Sequence, residues 1–221
     1  MMADLDVPIN NGPGLSVVIV TYRSNPSIQR CLDSIARYGQ QPLQVVIVDN
    51  RETVLPPIDL DIVLVRPDEN IGFGRATNLG MKHTKYETIL LLNPDTVLFR
   101  DTLPCALTHL SKAEPPTIVG APCVTMDGCL NPLFKGPLHS LRNLFALAMG
   151  ASWYLPRSAS GVELRSDEYL AGCFLLMHRT RRSKGGGERG ISLQSIRREI
   201  THAHLVNLFV PHLHEAGWRG L

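Results

Sequence analysis

Hydrophobic positions in this chain fall into short unbroken runs, separated by segments in which apolar residues recur every three or four positions. Leu15-Ser16-Val17-Val18-Ile19-Val20, Leu43-Gln44-Val45-Val46-Ile47-Val48, Ile62-Val63-Leu64-Val65 and Thr88-Ile89-Leu90-Leu91-Leu92 have the length and the apolar content of strands covered on both faces. After the first run, Pro26 suits a first helical position, and Ser24 or Asn25 can cap the helix. Ile28, Cys31, Leu32 and Ile35 then share one face before Gly39 ends the element. The spacing predicts further helices from about Gly74 to His83 and from Asp101 to Lys112, the latter with Leu103, Ala106, Leu107 and Leu110 inward. Thr117 to Ala121 and Tyr169 to Met177 read as two more strands. Repetition of strand and helix predicts an α/β fold, a doubly wound, mostly parallel sheet with flanking helices.

Between Pro122 and Arg165 the chain is rich in Pro and Gly, with one helical pattern from Leu138 to Tyr154. An ordinary helix packed on the domain is favoured there over a lid or a lipid-facing surface. The length of 221 residues suits one α/β domain. A net charge of +2 argues against nucleic acid as a partner, although the stretch from Arg179 to Arg198 is locally basic. Five cysteines, an odd count with no Cys-x-x-Cys pair, read as reduced thiols of a cytoplasmic protein. Met1 to Gly14 carries neither a basic leader nor an apolar signal core. No run reaches the ~20 apolar residues of a membrane span, and peripheral contact with the inner face of the plasma membrane stays open. The expected organisation is a flexible N-terminus over 1–14, one domain over 15–179 and an atypical basic segment over 180–221; nothing in the sequence reports on oligomeric state.

Ligands of doubly wound sheets sit beyond the carboxyl ends of the strands. There the sequence places Thr21-Tyr22-Arg23, Asp49-Asn50-Arg51, Arg66 to Asn70, and Asn93-Pro94-Asp95. Each alone is an ordinary turn or cap. Asp49 is suited to accept hydrogen bonds from a base or ribose, and its competing role is that of a turn residue. Asn70-Ile71-Gly72-Phe73-Gly74-Arg75 leads a loop into a helix, where backbone N–H groups and Arg75 can approach phosphate or sugar oxygens. It is not a dinucleotide fingerprint, since Thr77 occupies the third glycine position. Asp95, a lone carboxylate past a buried strand, suits a cation that neutralises a diphosphate.

Val18-Ile19-Val20-Thr21-Tyr22, Val46-Ile47-Val48-Asp49-Asn50, Asn70-Ile71-Gly72-Phe73-Gly74 and Leu91-Leu92-Asn93-Pro94-Asp95, in this order and spacing, resemble family 2 glycosyltransferases, most closely the bacterial rhamnosyltransferase-like members. The resemblance covers Leu15 to Arg179 and implies the GT-A fold, a nucleotide-diphosphate-sugar donor, a saccharide or lipid-linked saccharide acceptor, a divalent cation (Mg2+ or Mn2+) and inversion at the anomeric carbon. It places Thr21, Tyr22, Asp49, Asn50, Asn70, Gly72, Arg75, Asn78 and Asn93 around the donor, Asp95 at the metal and Gly172 on the acceptor side. The usual Asp-x-Asp motif reads Asn93-Pro94-Asp95, so one carboxylate with donor phosphates and water would hold the ion. Gly120 to Asn131 resembles the family hairpin before the acceptor region.

After His178-Arg179 the family pattern breaks. A Gly-Gly-Phe-Asp-Glu-like turn and an acidic helix start carrying the catalytic base are expected. Thr180 to Arg189 and a stretch from Ile191 to Val210 with only Glu199 acidic stand instead. The likeness returns at Leu213-His214-Glu215-Ala216-Gly217-Trp218-Arg219. One coding string for Arg179 to Gly185, read two nucleotides later, gives Asp-Ala-Ala-Phe-Glu-Gly, which points to a frame disturbance. A genuine basic extension binding anionic lipid through Arg179, Arg181, Arg182, Lys184, Arg189, Arg197 and Arg198 is the competing account. No catalytic base is assigned. A nucleotide-sugar binder without transfer activity and a nucleotidyltransferase-like module are the alternative functions, the latter without a glycine-rich triphosphate loop in its support.

Overall fold

A strand with apolar residues at every position has no side to give to water, and in the computed structural model of the chain helices cover both faces. The structure describes residues 10–114, 117–121, 123–124, 135–137, 168–170, 172–179, 202–205 and 210–211. In order these form β1 (Asn10–Thr21), α1 (Ser27–Tyr38), β2 (Leu43–Asp49), β3 (Ile62–Val65), α2 (Phe73–Lys82), β4 (Tyr86–Leu92), α3 (Thr102–Lys112) and β5 (Thr117–Gly120). Short strands follow: β6 (Cys123–Val124), β7 (Lys135–Pro137), β8 (Glu168–Leu170), β9 (Phe174–His178), β10 (His202–Leu205) and β11 (Val210–Pro211). The main sheet has seven strands in the order β10-β5-β9-β4-β1-β2-β3. Neighbours among β3, β2, β1 and β4 are parallel, whereas β9 runs antiparallel between β4 and β5.

The period of two along each strand divides the core. Val17, Ile19, Val45, Ile47, Leu90 and Leu92 pack with Ile28, Leu32 and Ile35 of α1 and with Leu103, Ala106 and Leu110 of α3. Val18, Val46, Ile89 and Leu91 face the other way, toward Met81 of α2. Each of these Val, Leu, Ile and Met side chains contributes roughly 1.5–3 kcal/mol by leaving water. Helix α2 lies close on the sheet because residue 80 is glycine: a Cβ there would stand 2.6 Å from Val18 Cγ1 and 3.0 Å from Val48 Cγ2.

Four expectations need correction. The run from Tyr169 to Met177 is not one strand, because a turn at Gly172 and Cys173 divides it. Its first part, β8, pairs with β7 in a separate two-stranded sheet, and only β9 enters the main sheet. Continuous hydrophobicity carries no mark of where a strand changes sheets. Strand β1 begins at Asn10, which pairs with Tyr86, so residues 10–14 belong to the sheet and not to a flexible N-terminus. Backbone pairing needs no apolar side chain, hence no signal in the pattern. Helix α1 starts at Ser27 with Pro26 in the cap position and no side-chain cap. Ser24 instead accepts the backbone N–H of Tyr22 through its hydroxyl.

The fourth concerns Arg179, which the competing account counts among the lipid-binding cations and which turns inward. Its Nη2 donates to the carbonyl oxygens of Met81 at 3.3 Å and Thr84 at 3.0 Å, and bonds the Thr84 hydroxyl. A cation is favourable at the carbonyl-rich end of α2. Beyond Arg179, β10 pairs in parallel with β5 and β11 with β6, so parts of the 180–221 segment join sheets of the domain. The Leu138 to Tyr154 helix and most of the Gly120 to Asn131 hairpin lie outside the described residues.

Candidate active site

Parallel pairing brings the carboxyl ends of β1 and β2 side by side, with Thr21 opposite Asp49. Asp49 is buried and its carboxylate is occupied from several directions. Oδ1 accepts from the Thr21 hydroxyl at 3.0 Å, the Arg51 N–H at 3.2 Å and the Thr53 N–H at 3.2 Å. Oδ2 accepts from the Thr53 N–H at 3.1 Å and from Arg66 Nε at 3.2 Å. Burial alone would raise the Asp49 pKa, but the hydrogen bonds from Thr53, Thr21 and Arg66 outweigh it and hold the carboxyl below its ordinary value. The turn role of Asp49 is therefore realised, and the side chain also ties the ends of three strands together. The Arg66 guanidinium stays largely exposed on the rim.

The adjacent loops are fastened by backbone. Asn50 N–H donates to Thr21 O at 2.9 Å, and Arg23 N–H to Arg51 O at 3.1 Å. Arg23 and Glu52 adopt positive φ of 50° and 44°, conformations that cost non-glycine residues energy and that these contacts hold in place. Thr21 and Asn50 are buried, while Tyr22 is exposed.

Asn50 also reaches the loop before α2, where its Oδ1 accepts the Ile71 N–H at 3.4 Å. One residue earlier, Asn70 Oδ1 accepts the Gly72 N–H at 2.9 Å, closing a tight turn. Gly72 has φ of 76°, a left-handed conformation open to glycine at little cost. Helix α2 starts at the next residue with no side-chain cap, so its first N–H groups face the rim. Arg75 is exposed in its first turn, and Asn78 is half-buried one turn further on.

The turn after β4 is held from two sides. From the sheet, Asn93 N–H donates to Cys173 O at 3.1 Å and the Thr96 hydroxyl to the same oxygen at 3.5 Å. From α1, the Cys31 thiol donates to Asn93 O at 3.6 Å, and Ser34 Oγ accepts the Leu98 N–H at 3.0 Å. Burial, with the Asp95 charge nearby, pushes the Cys31 thiol upward, so it stays a neutral donor beneath the turn. Asn93 and Asp95 are half-buried at this rim.

Among the described residues no three His, Cys, Asp or Glu side chains gather as a metal centre. Asp95 provides hard oxygen, and a cation there would take its remaining oxygens from a phosphate-bearing ligand and water. That donor set fits Mg2+ or Mn2+ arriving with a diphosphate. The fold thus brings Thr21, Tyr22, Asp49 and Asn50 together with the Asn70 to Arg75 loop, and places Asn93 and Asp95 at the same edge. Gly172 joins them at the entry to β9, where a Cβ would stand 4.0 Å from the tip of the Phe73 ring. Sequence reading placed Arg66 at the rim without a partner, and it missed Thr53, Cys31 and Ser34 as parts of the site, none of which carries a positional signal.

Comparison with known proteins agrees with this geometry. The family model described as Glycosyl transferase family 2 matches residues 16–136, more than half of the chain. The uncharacterized glycosyltransferase YwdF of Bacillus subtilis (strain 168) is 30% identical over 86 residues, which are 37% of this chain and 32% of that protein. The chain therefore spans about a third of the length of the curated relative it matches. Among solved structures, S. aureus TarS 1-349 in complex with UDP-GlcNAc superposes with a TM-score of 0.57 at 15% identity, over 93% of this chain and 60% of that one. GalNAc-T7 with UDP, GalNAc and Mn2+ gives 0.61 at 12% identity, over 94% and 44%. At such identities the two structures establish a shared GT-A fold.

Proposed function

Because this chain belongs to glycosyl transferase family 2, we propose that it transfers a sugar from a nucleotide-diphosphate donor to a saccharide or lipid-linked saccharide acceptor, with inversion. The observation that carries the reading is the gathering of four strand ends on one rim, with Thr21 against Asp49 and the Asn50 amide fastening the Ile71 loop. Structures of the same fold hold UDP-GlcNAc in one case, and UDP with Mn2+ in another.

In this reading the nucleotide lies over the ends of β1 and β2, where the Asp49 cluster keeps the Thr21 to Arg23 and Asn50 to Thr53 loops in shape and Arg66 presents exposed donors. The first turn of α2 and Arg75 face the diphosphate, where N–H dipoles and a guanidinium stabilise negative charge. Asp95 holds a divalent cation, which when bound offsets the charge of the leaving diphosphate. Asn93, neutral and anchored through its backbone to Cys31 and Cys173, orients the turn without adding charge. Gly172 borders the acceptor side.

The donor favoured by the motif resemblance is a thymidine-diphosphate rhamnose, and the setting is the cytoplasm, at the inner membrane face for a lipid-linked acceptor. Among the described residues no helix is long and apolar enough to cross a membrane. The Thr180 to Val210 sequence lacks the family's acidic pattern. Donor binding without transfer is therefore the second reading, with a frame disturbance after Arg179 as its origin. Sequencing the coding DNA from Gly172 to Trp218 tests that origin: an acidic segment in a shifted frame supports it, and its absence from all frames rejects it.

The binding reading is tested by titrating dTDP-rhamnose and UDP-GlcNAc with and without Mg2+ into the protein and its Asp95→Ala variant. Metal-dependent affinity is expected in the parent and its loss in the variant. Equal affinities with and without metal in both proteins would remove the role given to Asp95. Sugar transfer in the same samples separates an active enzyme from a binder.

A further inference from the structure

We propose that Phe73 is the platform on which the sugar of the donor rests, an inference built on the nucleotide-sugar reading above. Phe73 is the first residue of α2 and is 50% exposed. Its exposed half offers apolar surface that a ligand lying on it would remove from water. Its position is set from both ends of the loop. Ile71 is bonded to Asn50 at the end of β2, while the tip of the Phe73 ring lies 4.0 Å from where a Cβ on Gly172 would stand, at the entry to β9.

In the sheet, β1 and β4 lie between β2 and β9. Strands are spaced about 4.8 Å apart, so loop and ring together cross roughly 14 Å of rim, over the ends of β1 and β4. Those ends carry Thr21 on one side and the Asn93 to Asp95 turn on the other. A nucleotide at Asp49 and Asn50 with its diphosphate directed toward Asp95 leaves the sugar in the interval that the ring spans. One face of a pyranose is lined by C–H bonds, and an aromatic ring is its natural partner in a largely polar site. Among the described residues beyond its chain neighbours, only the Phe73 tip comes within 4 Å of where a side chain at 172 would begin, so glycine there adds no bulk beside the ring.

The test is calorimetric and compares each sugar nucleotide with its own nucleoside diphosphate: UDP-GlcNAc with UDP, and dTDP-rhamnose with dTDP, all in Mg2+. Phe73→Ala is expected to weaken the sugar nucleotide that binds by about fivefold, the size of one aromatic contact, while leaving its free diphosphate unchanged. Phe73→Tyr, which keeps the ring, is expected to restore the parental ratio. An unchanged ratio in Phe73→Ala, or equal weakening of both ligands, overturns the inference while leaving the donor site standing. Failure of the parent protein to bind any of the four ligands would overturn the nucleotide-sugar reading and this inference with it. If Phe73→Ala unfolds, Phe73→Leu takes its place in the same comparison.

Discussion

Replacing Asp49 should cost the fold more than its size implies. Asp49→Ala removes the acceptor for the Thr21 hydroxyl and for the N–H groups of Arg51 and Thr53. Thr21 and Thr53 are buried, so their donors find no water in exchange. A buried donor left without a partner costs about 1–3 kcal/mol, and hydrogen bonds to a charged group lie at the upper end. The Arg66 pair adds little, because its guanidinium is largely exposed and re-solvates. A loss of about 3 kcal/mol in unfolding free energy is expected for Asp49→Ala, and about half of that for Asp49→Asn, whose amide oxygen still accepts. Urea unfolding at neutral pH measures both.

The pH dependence supplies a second check. The folded pKa of Asp49 lies below the unfolded value of about 3.9, since its hydrogen bonds outweigh burial. Its stabilisation is therefore present in full above the unfolded value and is lost as pH falls through the folded one. The gap between parent and Asp49→Asn should narrow as pH drops below about 4. Equal stability of parent and Asp49→Ala within about 0.5 kcal/mol would refute the reasoning. So would a gap that widens in acid.

Two further substitutions probe the supports of the rim. Gly80→Val puts side-chain atoms where Val18 and Val48 already stand, and overpacking of about 1–3 kcal/mol should lower the urea midpoint; an unchanged midpoint would mean that α2 can lift from the sheet without cost. Ser34→Ala deprives the buried Leu98 N–H of its acceptor and should destabilise by about 1–3 kcal/mol, with Ser34→Thr recovering part of the loss; indifference to both would show that α1 does not hold the turn after β4.

Much of the sheet was legible in the sequence. The runs at Leu43, Ile62 and Thr88 fall on β2, β3 and β4, the last beginning two residues earlier at Tyr86, and the predicted helices differ from α2 by one residue at each end and from α3 by one at its start. The helices are written in the three-to-four spacing of their apolar positions, and the strands in unbroken apolar runs of strand length rich in β-branched residues and bounded by turn residues. The loops at the carboxyl ends were legible for the same reason, since a strand that ends in Thr21, Asp49 or Asn93 announces where its polar side chains begin.

What the sequence determined by itself was which residues enter the core and which strand ends share a rim, because both follow from short-range pattern and the rules of parallel sheets. Only the tertiary structure decided what those polar groups touch. Asp49 reads as a turn residue or as a ligand for a nucleotide until Thr53, Thr21 and Arg66 are seen to enclose it. Arg179 reads as a surface cation until the carbonyls of α2 claim it. Tyr169 to Met177 reads as one strand until the turn at Gly172 divides it between two sheets. Burial follows from local pattern, whereas partners such as Thr21 for Asp49 or Thr84 for Arg179 lie far along the chain and are chosen only when it closes on itself.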